Sequence, residues 1–138
     1  MIINAENLIV GRIGTVAAKK ALMGEKVNIV NCEKAIMTGN KKEIIARYKE
    51  KRQMGQVYHG PYILRRPDMF VKRAIRGMLP YKQDKGRNAF ERIRCYLGVP
   101  EEFKDKEMET IKKANIGKVP SLRYTTVKEI CKSMGGVK

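Results

Sequence analysis

Tryptophan is absent from the chain, histidine occurs once, at position 59, and serine occurs only twice, at positions 121 and 133. The shortage of histidine and serine weighs against an enzyme. A covalent nucleophile needs a base beside it and a third group to orient that base, and nothing in the spacing of His59 against Cys32, Cys95 and Cys131 positions such a pair. The cysteines are odd in number and far apart, so neither a disulfide framework nor a CxxC metal site can be read from them, and a reducing cytoplasm fits. No apolar run approaches the roughly 20 residues of a membrane-spanning helix. Met1-Ile2-Ile3-Asn4-Ala5-Glu6 lacks the basic flank and apolar run of a secretory leader. No lysine-bearing stretch carries a broad Trp, Phe or Leu face for lying on a bilayer. The chain is therefore expected to be neither exported nor inserted. Ser, Gln or Pro tracts of the disordered kind are missing too. With 138 residues and 43% apolar content, one domain over 1–138 built on one core is the expectation.

Acids are scarce where bases are dense. Residues 41–94 hold sixteen Lys or Arg against five acids (Glu43, Glu50, Asp68, Asp84, Glu91), which is +11 of the chain's +16 net charge. Like charges repel one another when a chain compacts, and a bound polyanion relieves that repulsion. RNA or DNA is the best match, because each phosphate neutralised by Lys or Arg releases counterions.

Hydrophobic spacing predicts a short strand over Met1–Ala5 and a helix from Gly11 to Met23 with Ile13, Val16, Ala17 and Ala21 inward, stopped by Gly24. A strand over Lys26–Val30 and a short third one over Ala35–Gly39 follow, and strand, helix, strand implies a right-handed parallel crossover. From Asn40 the period is helical, with Ile44, Ile45 and Tyr48 inward. Gln53–Arg66 reads as a basic loop and Pro67 opens a helix lined by Phe70, Val71, Ala74, Ile75 and Met78. Pro80 ends it, with Gly77 expected in a positive-φ helix stop. Asn88–Leu97 reads as a further helix with Phe90, Ile93 and Leu97 inward. Residues 99–120, acidic over Glu101–Glu109, read as a solvent-exposed connection away from phosphate. Leu122-Arg123-Tyr124 suits a last strand. Thr125 or Thr126 caps a terminal helix with Val127, Ile130, Cys131 and Met134 inward and Gly135-Gly136 at its end.

Gly11-Arg12-Ile13-Gly14 admits a phosphate-binding loop or a plain strand-to-helix turn. The dinucleotide fingerprint would want a third glycine where Ala17 stands, and a P-loop would want Gly-Lys-Ser/Thr. A nucleotide-clamping KH loop would want a helix before it, where a strand leads in. An enzyme using this loop for a nucleotide is the rival reading. The basic helices carry the stronger signal. Lys72, Arg73 and Arg76 lie three and four apart with no acid among them, and Tyr48, Tyr58, Tyr62 and Tyr81 are interleaved with the cations and suited to stacking on unpaired bases or to the core. The RNA-binding candidates are Arg12, Lys41, Lys42, Arg47, Lys49, Lys51, Arg52, His59, Arg65, Arg66, Lys72, Arg73, Arg76, Lys82, Lys85 and Arg87. No catalytic residue, metal ligand, cofactor or small-molecule substrate is expected.

Four blocks of the chain resemble a known family. They are Asn4-Ala5 through Val10-Gly11-Arg12, Val27–Glu33 on to Thr38-Gly39-Asn40-Lys41, Arg65-Arg66-Pro67 through Arg76-Gly77-Met78-Leu79-Pro80, and Gly86-Arg87 to Tyr96-Leu97-Gly98. In order and in kind they are similar to the universal large-subunit ribosomal protein numbered thirteen, in its archaeal and eukaryotic form. Arg76-Gly77-Met78-Leu79-Pro80 is the most specific element. The resemblance implies a three-layer α/β/α fold with a mainly parallel four-stranded sheet flanked by helices. It also implies binding to large-subunit, 23S-type rRNA beside neighbouring ribosomal proteins, a role early in subunit assembly, and no catalysis. Relative to the bacterial form, the chain starts directly at its first strand, while Gly60-Pro61-Tyr62 and the 99–118 connection follow the archaeal and eukaryotic pattern.

Overall fold

Ile2 and Ile3 are β-branched and begin an extended segment, β1 (Ile2–Asn4), which the computed structural model of the chain pairs in parallel with β2 (Val27–Val30), Ile3 lying opposite Ile29. The structure describes residues 1–56, 58–120 and 123–136. Between these strands runs α1 (Val10–Leu22), with Val10, Ile13, Gly14, Ala17, Ala18 and Ala21 buried along one stripe. Gly24, at φ +98°, ends the turn that follows. The expected parallel crossover is thus present.

The expected four-stranded sheet is not. β2 pairs in parallel with β4 (Ile93–Cys95), giving three strands in the order β1-β2-β4. β3 (Ile36–Thr38) instead pairs antiparallel with β5 (Tyr124–Thr126), Met37 opposite Thr125. The outer edge of β1 is met by a single bridge, Ile3 to Glu109, in which the Glu109 amide donates to the Ile2 carbonyl at 2.8 Å.

β4 corrects a second expectation, since Asn88–Leu97 is not one helix. α4 runs from Asp84 to Glu91 and ends before the strand. Phe90, Ile93 and Leu97 fit a helical spacing by coincidence. In the fold Ile93 is fully buried, Arg94 is exposed, and Leu97 is left 47% exposed.

α2 (Lys41–Gln53) begins at Asn40, whose side chain accepts from the Lys42 amide at 3.2 Å, and it contains no fully buried residue. Ile44, Ile45, Tyr48 and Lys51 are partly buried. α3 (Pro67–Arg76) has proline in its first turn and buries Phe70, Val71 and Ile75, while Met78 beyond its end stays 41% exposed. Gly77 is right-handed, at φ −64°, so the expected positive-φ stop is absent there. α5 (Val127–Ser133) opens with a full capping box between Thr126 and Glu129 and buries Val127, Ile130 and Cys131. Leu122 and Ser121 lie outside the described residues.

The core joins Ile3, Val27, Ile29 and Ile93 of the sheet to Ile13 and Ala17 of α1, Val71 and Ile75 of α3, and Ile130 of α5. Burying each large aliphatic side chain contributes about 1.5–3 kcal/mol. The opposite sheet row, Ile2, Asn28 and Arg94, is only partly covered. There Tyr96 meets Phe103 edge-on at 5.4 Å. Phe103 and Ala114 are buried and the Ile116 amide donates to the Asn7 carbonyl at 3.1 Å, so the acidic 99–120 connection is anchored at several points although most of it is exposed.

Candidate nucleic-acid interface

A lysine or arginine serves a polyanion only if the fold has not already neutralised it. Of the sixteen cations between 41 and 94, three meet a carboxylate among the described residues: Lys41 with Glu129 at 2.8 Å, Arg66 with Asp68 at 2.9 Å, and Arg87 with Asp84 at 3.1 Å. The Lys41 contact holds the Glu129 carboxyl below the usual carboxylate range, with help from the Thr126 amide and the Thr125 hydroxyl. Asp68 is buried in the first turn of α3 and is gripped by Arg66 through Nε and Nη2.

Three cations rest on rings instead. Lys51 Nζ lies 5.7 Å from the Tyr48 centroid, Lys72 Nζ lies 4.9 Å from Phe90, and the Arg76 guanidinium lies 4.8 Å from Tyr81. Arg76 Nε is buried without a hydrogen-bond partner among the described residues. The expected trio therefore divides: Lys72 and Arg76 are half-buried, and Arg73 alone is exposed. Arg12 and Arg52 are used by the backbone, with Arg12 Nη1 donating to the Lys113 carbonyl at 2.7 Å and Arg52 Nη1 to the Met134 carbonyl at 2.6 Å.

Lys42, Arg47, Lys49, Arg65, Arg73, Lys82 and Lys85 are exposed and have no carboxylate partner among the described residues. His59 is exposed in the turn after α2. Packing brings several of these groups together. α5 touches both α2 and α3. Lys41, Lys42 and Lys49 flank one hollow beside Ile45 and Ala46, and Arg52 and Arg65 flank another beside Tyr62.

Two cationic places escaped the sequence reading. Arg123 and Tyr124 join Lys41 and Lys42 around a groove. A cleft of about 630 Å³ on the partly covered sheet face gathers Lys26, Arg92 and Arg94 with Glu91, Glu102, Asn28 and Tyr96, so its cations are largely balanced by carboxylates. Reading Ile93-Arg94-Cys95-Tyr96 as an alternating strand would have put Arg94 and Tyr96 on one side.

The glycine pair at 11 and 14 is part of α1 itself. Gly14 is buried against Met78, so this glycine serves helix packing. Nor are Cys32 and Cys131 poised to attack. The Cys32 thiol is held protonated by its Cys95 neighbour and by burial, and burial pushes the Cys131 thiol up to about 11. No group of three or more His, Cys, Asp or Glu suited to a metal ion occurs among the described residues, and no described helix is long and apolar enough to cross a membrane.

Fold and surface together define a small basic α/β protein with its charge turned outward. A family model described as Ribosomal protein L13 matches residues 1–102. The chain is 43% identical over 135 residues to the large ribosomal subunit protein uL13 of Methanosarcina barkeri, covering 97% of this chain and 96% of that protein. It is 42% identical over 135 residues to uL13 of Archaeoglobus fulgidus, covering 97% and 86%, and 36% identical over 135 residues to uL13 of Halobacterium salinarum, covering 98% and 90%. The chain belongs to the ribosomal protein L13 family.

Proposed function

We propose that this chain is a structural constituent of the large ribosomal subunit. In this reading it binds and bridges 23S-type rRNA beside neighbouring ribosomal proteins and supports early subunit assembly. Family membership supports the setting. The observation that carries the contact surface is α2, a helix with no fully buried residue whose Lys42, Arg47 and Lys49 are exposed and without a carboxylate partner among the described residues.

The mechanism is electrostatic and geometric. RNA helices repel one another, and fixed cations on a folded body lower the cost of packing them. Phosphate contacts set position and supply most of the affinity, while base reading contributes less. Arginine is suited to paired contacts with phosphate oxygens through its planar fork. The stretch 41–94 supplies these contacts, and the acidic 99–120 connection stays off the RNA.

Sedimentation tests the assignment. The full chain, followed in a gently lysed cell, is expected to travel with the large particle and to leave it only in high salt. Migration at the top of the gradient at low salt would overturn the reading.

A further inference from the structure

The fold sorts the four tyrosines among the basic residues into two pairs. Tyr48 is half-buried with its ring 5.1 Å from Phe70, and Tyr81 lies beneath the Arg76 guanidinium. Tyr58 and Tyr62 are 88% and 73% exposed, the two most exposed aromatic rings among the described residues. Both belong to the turn that follows α2.

That turn is tightly built. The His59 and Gly60 amides both donate to the Gln56 carbonyl, at 3.2 and 3.1 Å. Gly55 and Gly60 adopt φ of +83° and +73°, and a Cβ on Gly55 would collide with the Gly60 carbonyl oxygen. Arg52 ties the end of α2 to the end of α5 through the Met134 carbonyl. Both rings stand exposed to solvent on this turn.

A groove of about 380 Å³ runs beside Tyr62, lined in part by Arg52, Gln56 and Arg65. From Lys51 to Pro67 the sequence contains no Asp or Glu, while Lys51, Arg52, Arg65 and Arg66 supply positive charge. Exposed rings in an acid-free cationic setting suit a ligand with flat apolar faces on an anionic backbone. A duplex hides its base faces, whereas unpaired bases offer them.

We propose that Tyr58 and Tyr62 form a stacking platform for unpaired RNA bases, with the two rings beneath the bases and Arg65 beside the phosphates. This deepens the RNA-binding reading and rests on it.

The test measures binding of the full chain to a ten-nucleotide oligoadenylate and to an RNA duplex of equal phosphate count, across salt concentrations. Joint Tyr58→Ala and Tyr62→Ala replacement is expected to weaken oligoadenylate binding about tenfold per ring with an unchanged salt slope. Duplex binding stays at the parent level, and joint Tyr58→Phe and Tyr62→Phe replacement keeps the oligoadenylate affinity. The platform is overturned if the alanine pair binds oligoadenylate like the parent, if it loses both probes equally, or if the phenylalanine pair loses as much as the alanine pair. A parent protein that binds duplex but not oligoadenylate also overturns the platform and leaves RNA binding standing. Binding to neither probe removes both.

Discussion

Gly14 and Met78 are in direct packing contact: a Cβ placed on Gly14 would stand 2.7 Å from the Met78 Sδ and 3.5 Å from the Ile75 Cγ1. The glycine of the Gly-x-x-Gly sequence thus lets α1 approach the turn that follows α3, the turn formed by the Gly77-Met78-Leu79-Pro80 block.

Gly11 and Gly14 should respond oppositely to substitution. Gly14→Val forces Met78 and Ile75 aside and is expected to cost about 1–3 kcal/mol in denaturant unfolding. Gly11, exposed with open space around it, is expected to gain up to about 1 kcal/mol as Ala, because alanine favours the helix. Nucleotide titration should give no saturable binding in the parent. Micromolar saturation by a nucleotide would revive the phosphate-loop reading.

Gly86 is the intolerant glycine of the Pro80 turn. An added Cβ would run into the carbonyl oxygen of Pro80, which is backbone and has little room to yield. Gly86→Ala is expected to destabilise by about 3 kcal/mol. Gly77 needs no positive φ and a Cβ there would stand 3.4 Å from the Ala74 oxygen, so Gly77→Ala should change stability by no more than about 0.5 kcal/mol. Thermal unfolding of the two variants checks the order, and an equal drop in both would contradict it.

Glu129 links α5 to α2 through Lys41, and its folded carboxyl is held below the usual range. A carboxylate with a depressed folded pKa binds fewer protons in the native state than in the unfolded one. Its contribution is therefore fully present above the ordinary value of 4.5 and fades as pH falls below it. Urea unfolding of the parent and of Glu129→Gln should differ at pH 7 and converge on acidification. A gap that widens toward low pH would reverse the assigned sign. Thr126→Ala, which removes the cap itself, should cost about 1 kcal/mol.

Much of this fold was legible in the sequence because the signals were local. Ile13, Ala17 and Ala21 repeat at helical spacing, Gly24 and Gly135 stand where helices end at positive φ, and Thr126 with Glu129 spells its own cap. β4 was hidden because Phe90, Ile93 and Leu97 also fit a helical spacing that masks its short alternation, and its partner β2 lies more than sixty residues earlier. The antiparallel β3–β5 pair depends on the path of the intervening chain, which no residue in either strand encodes. At the candidate interface, composition reveals the amount of charge but not its disposition. Nothing in the spacing of Lys72 and Arg76 says that they settle on Phe90 and Tyr81, or that Arg52 reaches the last turn of α5.

The exposed cations of α2 and α3 are the heart of the account, and the salt dependence of RNA binding tests them most directly. Lys42, Arg47, Lys49 and Arg73 would be replaced together by Gln and the affinity for a large-subunit rRNA fragment measured across salt concentrations, with Lys104→Gln and Lys106→Gln in the acidic connection as the control. The account predicts a log-log slope shallower by about 0.7–0.9 for each phosphate that is no longer neutralised, and no change in the control. A slope unchanged by the four replacements would contradict it.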